Sequence, residues 1–479
     1  MARSNRSRLP LTTIANRRIA VATVLLLLLS ARAHGTPMRG VDLAQAAPPT
    51  QLRAPAVEGA GAGDTEQVYP LPNPATDGEV SLGGILAFAD QRSPLLAVAR
   101  SRRSLTDASR VAASVLLPTN PELSFSAGQR FGRSGSSVEV DLSLMQEVEI
   151  GGERAARIEA AEALSDLTEA ELEQMRWTVH CDVHAAFHGS LIEQERAMLA
   201  ARVVTFQREV LRVVERQISA GEAAPLALRL AQAEVAQAEQ VSVAANQAFL
   251  ASRIRLAQLS GWPTATPPTP AGEVDLPRDP PPLQALRVTA GERLPHLRSA
   301  AARVREANAR ATVADREAWS RPSVGVSYRR EGNPTTEGAY DIVMGIVSVP
   351  IPSFQLHRGE RAKARAEVTV AGAELDAAQQ LLDGQIADAR GEVVAAAARA
   401  RAYGAEILPR FEENLTLLRR SFEIGEIDIL ALSVGRERFL RIQSDALGAQ
   451  QDYFVALAGL ERVVGVDLWH DDHDKEIRP

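Results

Sequence analysis

The sequence predicts a mainly α-helical chain with a membrane β-barrel, in which a unit of helix, strand, strand, long helix and helix occurs twice. Three observations predict this class. Prolines and glycines recur in the same order in both halves, short segments alternate apolar and polar residues, and long stretches have helical periodicity. Pro94 is matched by Pro295, 201 residues later, and Gly261 by Gly465, 204 residues later. The chain is therefore interpreted as a duplication.

The first residues predict export. Five arginines precede an apolar stretch that ends at Ala31-Arg32-Ala33, which is typical of a cleaved signal peptide at 1–33. The apolar stretch is shorter than the roughly 20 residues of a membrane-crossing helix. Residues 34–80 are rich in proline, alanine and glycine, and we expect an extended or disordered lead-in.

Two repeats follow, at 81–262 and 283–466, joined by a proline-rich linker at 263–282 and followed by an acidic, histidine-containing tail at 467–479. Strict alternation of apolar and polar residues predicts strands. In the last strand, Ile342, Met344 and Ile346 alternate less cleanly with Asp341, Val343 and Gly345. The four predicted strands lie at about 121–131, 137–149, 322–330 and 340–350.

Each repeat then predicts a helical hairpin of unusual length. A single helix is expected from Pro94 to Leu117, and a long helix from Gly152 to about Ser219, which at 1.5 Å per residue spans roughly 100 Å. In the second repeat the long helix begins at Gly359, is interrupted or kinked at Pro409 and turns at Gly425.

Composition excludes several classes of function. A single cysteine, Cys181, rules out an intramolecular disulfide framework. The formal net charge of −7 offers no basis for nucleic-acid binding. The sequence has no metalloprotease, P-loop or dinucleotide motif, so we expect neither an enzyme nor a cofactor.

The strands constrain the assembly. Four strands per chain cannot close a barrel, and an open sheet edge in lipid would leave its N–H and C=O groups unpaired. Several chains must then pool their strands. Three chains give twelve strands, and bacterial barrels begin at eight, although dimers or tetramers also satisfy the arithmetic. The helices are far longer than the ~30 Å hydrocarbon core of a bilayer, which predicts a duct across the periplasm.

The strand-to-helix junctions resemble those of the TolC-type outer membrane factors, and most closely the cobalt–zinc–cadmium (Czc) branch. The similarity rests on "QEVEIGGERAAR" (146–157) and "VPIPSFQLHRGE" (349–360). It implies a homotrimer in outer membrane lipid, a twelve-stranded barrel and a periplasmic α-helical barrel. It also implies a periplasmic membrane-fusion adaptor, a proton-driven inner-membrane pump, and heavy-metal cations or drugs as substrate. The junction residues are Gly151, Gly152, Arg154, Pro350, Pro352 and Gly359.

Two positions depart from the family pattern. Many members of the branch carry a lipidated cysteine after the signal peptide, whereas His34 follows Ala33 here. Some members narrow the aperture with aspartates on the second return helix. Alignment on the turn glycine places Ala431 and Val434 at those positions, with Asp428 as the nearest acid.

Two groups of residues are candidate sites. At the tip turns, glycines permit a left-handed backbone and carboxylates would favour cations or face the adaptor, although turn formation alone also explains the glycines. These residues are Gly221, Glu222, Gly425, Glu426 and Asp428. On the first long helix, the four-residue spacing of His180 and His184 suits a metal, against the simpler interpretation of partly exposed histidines.

Two other functions remain open from the sequence. The same scaffold could serve as a type I secretion duct that carries a protein. A soluble, exported coiled-coil scaffold would also show long helices with small residues on their contact faces.

Overall fold

The computed structural model describes residues 71–74, 78–132, 135–221, 224–274, 276–331, 340–353, 357–424 and 426–468. The predicted signal peptide, most of the lead-in and the tail from 469 lie outside the described residues, as do Glu222 and Gly425 at the two tip turns.

The first repeat follows the predicted order of elements. Its single predicted helix from Pro94 to Leu117 is wrong, because two helices meet at Arg102 and the second ends at Ser114. The Arg102 amide donates to the Ala99 carbonyl, a three-residue spacing that tightens the chain there. The elements are β1 (Glu79–Val80), α1 (Leu82–Arg92), α2 (Pro94–Ser101), α3 (Arg103–Ser114), β2 (Glu122–Gly132), β3 (Gly135–Glu147), α4 (Glu153–Ser219) and α5 (Pro225–Ser260).

The second repeat has the same plan, with an irregularity in its long helix. A five-residue π-helical segment, Tyr403–Ile407, precedes Pro409. Proline has no amide hydrogen and its ring collides with the carbonyl four residues earlier, so a wider turn accommodates it. The elements are β4 (Thr269–Pro270), α6 (Leu283–Arg293), α7 (Pro295–Glu317), β5 (Ser323–Glu331), β6 (Tyr340–Ser348), α8 (Arg358–Ala402), α9 (Leu408–Glu423) and α10 (Ile429–Val464).

The proline-rich linker is less irregular than the sequence predicts. Its residues Thr269–Pro270 form β4, which pairs in parallel with β1 at the end of the lead-in. The Thr269 amide donates to Gly78 at 2.9 Å and the Ala271 amide to Val80 at 2.8 Å. Pro270 lies between these two donors and needs no amide hydrogen of its own, which is why proline is tolerated here.

The larger sheet is antiparallel, with strand order β2-β3-β5-β6. Its pairing places Leu144 opposite both Leu123 and Val326, which gives one continuous apolar face. The strand β6 is the exception. Its residue Met344 pairs with Ser327 and therefore lies on the opposite face. Because alternate residues share a face, Ile342 and Ile346 lie there too, and the valines of β6 join the apolar face.

The duplication is visible in how each repeat ends. Gly261 ends α5 with φ 80°, and Gly465 ends α10 with φ 79°. This left-handed backbone is readily adopted only by glycine. A Cβ atom on Gly465 would lie 2.7 Å from the Leu294 Cα, so the C-cap also packs tightly on the segment before α7.

Buried apolar residues form two large clusters. One joins α1, α2, α4 and α5 around Leu96, Leu172 and Leu256. The other joins α6, α8 and α10 around Ile386 and Leu460 and also includes Ile192 of α4, so it connects the two repeats. Helix α4 has 67 residues and therefore spans about 100 Å. None of the described helices combines the length and the apolarity that a membrane crossing by a helix requires.

Candidate functional sites at the helical tip and the strand-to-helix junctions

The two tip turns are held by local hydrogen bonds. Gly221 follows α4 with φ 77°, and its amide donates to the Ile218 carbonyl at 3.0 Å. In the second turn, Glu426 donates its amide to the Ser421 carbonyl at 2.9 Å. Asp428 accepts from the Ala431 amide at 2.9 Å, so its carboxylate caps the N-terminus of α10. A predicted tip acid thus has a structural function that the sequence did not assign.

An apolar cluster lies behind the turns and joins the two hairpins. It includes Val210 and Val214 from α4, Ala231 from α5, Phe422 from α9 and Leu432 from α10, all of them buried. Because each helix contributes, the hairpins cannot separate here without exposing apolar surface to water.

A charged contact accompanies this cluster on the side away from the turns. Two guanidinium groups lie 5.7 Å from the centroid of the Phe206 ring on α4. One belongs to Arg419 on α9 and the other to Arg436 on α10. Arg419 also pairs with Glu209 at 3.4 Å, and Arg436 with Glu234 at 3.7 Å. We call these five residues the tip latch, because they connect one hairpin to the other.

The latch is partly withdrawn from water. The Arg436 side chain is only 11% exposed. Burial lowers the pKa of its guanidinium, and the Glu234 carboxylate opposes that effect. Glu234 also accepts from the Gln207 amide at 2.9 Å. Separating the hairpins would leave this buried cation without its carboxylate and aromatic partners, which is energetically unfavourable. The contact therefore stabilises the arrangement in which the two hairpins stay together.

A groove runs along the hairpins above the latch. It has a volume of about 670 Å³ and lies between α5 and α10, with α4 as its floor. Its walls are mostly alanine and other apolar residues, including the exposed Val241 and Val434. Charged side chains, among them Arg196 and Glu437, line it as well. Val434, one of the two positions that the family similarity aligned with aperture aspartates, is therefore a groove residue.

The geometry of the first strand-to-helix junction requires glycine at both Gly151 and Gly152. Gly152 precedes α4 with φ 82°, a left-handed backbone. A Cβ atom on Gly151 would lie 2.9 Å from Trp319, so this residue has no room for a side chain. The Gly151 amide donates to the fully buried Glu153 carboxylate at 2.9 Å, and Arg154 donates to the Ser114 carbonyl at 3.2 Å. The pair of glycines thus lets the chain turn sharply from β3 into α4.

The second strand-to-helix junction also has a left-handed residue before its long helix, but this residue is not Gly359. Gly359 has open space around its Cα and lies within the first turn of α8. The left-handed residue is instead His357, with φ 50°. Pro350 and Pro352 are exposed in the segment between β6 and α8. Both repeats therefore enter their long helices through a left-handed residue, Gly152 in the first repeat and His357 in the second.

The sequence model of the outer membrane efflux protein family matches residues 86–262 and 286–466, which are the two repeats. The chain belongs to this family. An outer membrane efflux protein is a passive conduit, so the chain is not an enzyme, and the soluble scaffold interpretation is wrong.

Individual proteins extend the family match. Over 321 residues the chain is 25% identical to the cobalt-zinc-cadmium resistance protein CzcC of Cupriavidus metallidurans, covering 66% of this chain and 75% of that protein. It is 28% identical over 236 residues to the nickel-cobalt-cadmium resistance protein NccC of Alcaligenes xylosoxydans xylosoxydans, covering 49% and 52%. The fold matches the Campylobacter jejuni CmeC outer membrane channel with TM-score 0.64 and 15% identity, covering 82% and 88%.

In this outer membrane efflux protein, the two histidines predicted as metal ligands each lie near a carboxylate of the same chain. His184 Nδ1 lies 2.8 Å from a carboxylate oxygen of the fully buried Glu461 on α10, and His180 lies 3.7 Å from Asp467. His188 stacks on Phe454 with ring centroids 4.1 Å apart. Among the described residues, no group of three or more histidine, cysteine or acidic side chains is arranged to hold a metal ion. His184 and His188 therefore connect α4 to α10.

The efflux protein also has functional candidates that sequence reasoning missed. Phe206 is far in sequence from Arg419 and Arg436, and no local pattern marks it as their neighbour. Phenylalanine, tryptophan and tyrosine together make up only 4% of the chain. The presence of Phe206 on the long helix was therefore the one feature of the sequence that could have indicated this contact.

Proposed function

We propose that this chain is the exit duct of a tripartite efflux system for heavy-metal cations, working as a homotrimer. The observation that carries the proposal is the combination of an open, one-sided apolar sheet with helices of about 100 Å on the same chain. The relatives CzcC and NccC are named for resistance to cobalt, cadmium, and zinc or nickel. Their names support a metal cation as the cargo.

The proposal of a trimer starts from the edges of the sheet. Within the described residues, β2 and β6 each pair on one side only, so a lone chain would expose two rows of backbone donors and acceptors. Exposed apolar side chains such as Phe125, Val326 and Val343 lie on one face of this sheet. We propose that β6 of one protomer pairs with β2 of the next. Three copies then close a twelve-stranded barrel whose apolar face contacts outer membrane lipid.

The groove between α5 and α10 is the surface that we assign to the periplasmic adaptor. An apolar floor with charged side chains along its margins suits an amphipathic helix laid along it. Replacing Val241 by glutamate would place a charge in the groove and weaken adaptor binding. The matched control is Val243→Glu, which changes an equally exposed valine of the same helix that does not line the groove. Equal binding by both variants in a pull-down would contradict the assignment.

Opening of the duct would require the hairpins to move apart at the tip latch. The proton-driven inner-membrane pump supplies energy, and the duct itself contributes only a path. Adaptor binding alongside α10, the helix that carries Arg436, offers a direct way to bias the latch.

Deletion of the gene tests the cargo. We expect the deleted strain to lose tolerance to zinc, cobalt and cadmium and to accumulate cell-associated metal, with both effects reversed by the wild-type chain. Unchanged metal tolerance together with loss of a secreted protein would instead identify a type I secretion duct.

A further inference from the structure

A cavity at the base of the sheet combines apolar and cationic residues. It has a volume of about 530 Å³ and lies where β3, α7, β6 and α8 meet. Its apolar lining includes Ile150, Trp319 and Val349, all more than half exposed. Arg358 and Arg361 line it as well. Large apolar side chains exposed beside arginines are unusual on a surface that faces only water.

The apolar part of this cavity continues the apolar face of the sheet. Leu142 and Leu144 of β3 lie on that face, and Ile150 lies three residues beyond the end of this strand. On the other side, Val343 and Val347 of β6 lie on the same face, and Val349 directly follows the end of β6. Trp319 lies between these two ends and contacts Gly151. Tryptophan is enriched at the boundary between lipid and water, where its ring and its N–H are both accommodated.

The charges on the helix side of the cavity are unequal. Asp315 is the acid in the lining, and it is already paired with Arg361 at 2.6 Å and with Arg365 at 3.2 Å. These arginines keep the pKa of the Asp315 carboxyl below its usual value, so it stays ionised. Arg358 is exposed, and among the described residues no acid forms an ion pair with it. The cavity therefore has a net cation at its water-facing margin.

We propose that this cavity binds an anionic phospholipid of the periplasmic leaflet, with an acyl chain against Ile150 and Val349 and the headgroup phosphate at Arg358. The inference rests on the proposed function, in which the apolar face of the sheet lies in the outer membrane. Basic residues beside membrane-facing apolar surface commonly recognise lipid headgroups. Each protomer would carry one such site, at the level where the barrel continues into the helices.

Tryptophan fluorescence tests the site with the full mature chain reconstituted in phosphatidylethanolamine vesicles. Brominated phosphatidylglycerol is added in increasing fraction, and the Trp319 signal is taken as the difference between the wild type and Trp319→Phe. We expect Arg358→Gln to need about five-fold more phosphatidylglycerol for half-maximal quenching, since one arginine near an anionic surface contributes about 1 kcal/mol. Lys363→Gln is the control, because this lysine is 79% exposed on the same helix and does not line the cavity.

The outcomes separate two failures. If the wild type inserts into vesicles but Arg358→Gln and the wild type have the same quenching midpoint, the lipid site is wrong and the proposed function stands. The lipid site is also wrong if brominated phosphatidylcholine quenches Trp319 as well as phosphatidylglycerol does. If the wild type does not enter bilayers at all, both proposals fail.

Discussion

Removal of the Phe206 ring is expected to release the tip latch. The variant Phe206→Ala deletes the aromatic surface that Arg419 and Arg436 approach at 5.7 Å, and leaves both ion pairs in place. Two cation–π contacts contribute about 0.5–1 kcal/mol each. Loss of a half-buried phenylalanine contributes roughly another 1.5 kcal/mol.

Together these losses are about 3 kcal/mol, which would shift the ratio of closed to open tips roughly a hundredfold. The assay is single-channel conductance in planar bilayers, in which Phe206→Ala should be open for a much larger fraction of the time. Phe249→Ala is the matched control, because Phe249 is also half-buried and carries an arginine, Arg253, at 5.5 Å from its ring, but within the first repeat. Equal open fractions for the wild type and both variants would refute the latch.

Three further predictions concern the reactivity of a buried thiol and the stability of the fold. Burial raises the pKa of the Cys181 thiol far above its usual value, so Ellman's reagent should modify it only after unfolding; rapid reaction of the folded protein would contradict this. Burial has the opposite effect on His188 and lowers its pKa, so the unfolded chain binds a proton more readily than the folded chain does. The folded state should therefore lose stability as the pH falls below about 6.5. His188→Phe should flatten that acid dependence in melting experiments, and an unchanged pH profile would be evidence against it. Gly465→Ala should lower the melting temperature because its φ is 79°, whereas Gly391→Ala, in open space within α8, should not.

Local patterns predicted the elements whose causes are local. The alternation around Phe125 and Val140 identified the first hairpin, because period two is a property of a single strand. Gly261 and Gly465 were identified by their recurrence, and both turned out to be left-handed C-caps. The sequence predicted an interruption or kink at Pro409 but not that it would be a π-helical segment.

Contacts between distant elements could not be predicted in this way. The face of β6 on which Met344 lies depends on its register with β5, which its own uneven alternation does not reveal. The pair of Arg419 and Glu209 joins residues 210 positions apart. His184 looked like a metal ligand from its spacing alone, because its partner Glu461 is 277 positions away.

Native mass spectrometry of the mature protein, extracted from outer membranes in detergent, is the most direct test of the proposed trimeric duct. Unpaired strand edges at β2 and β6 should force the chain to assemble, so we expect a particle of three copies that needs detergent to stay in solution. A single folded chain that remains dissolved in detergent-free buffer would contradict the trimeric duct.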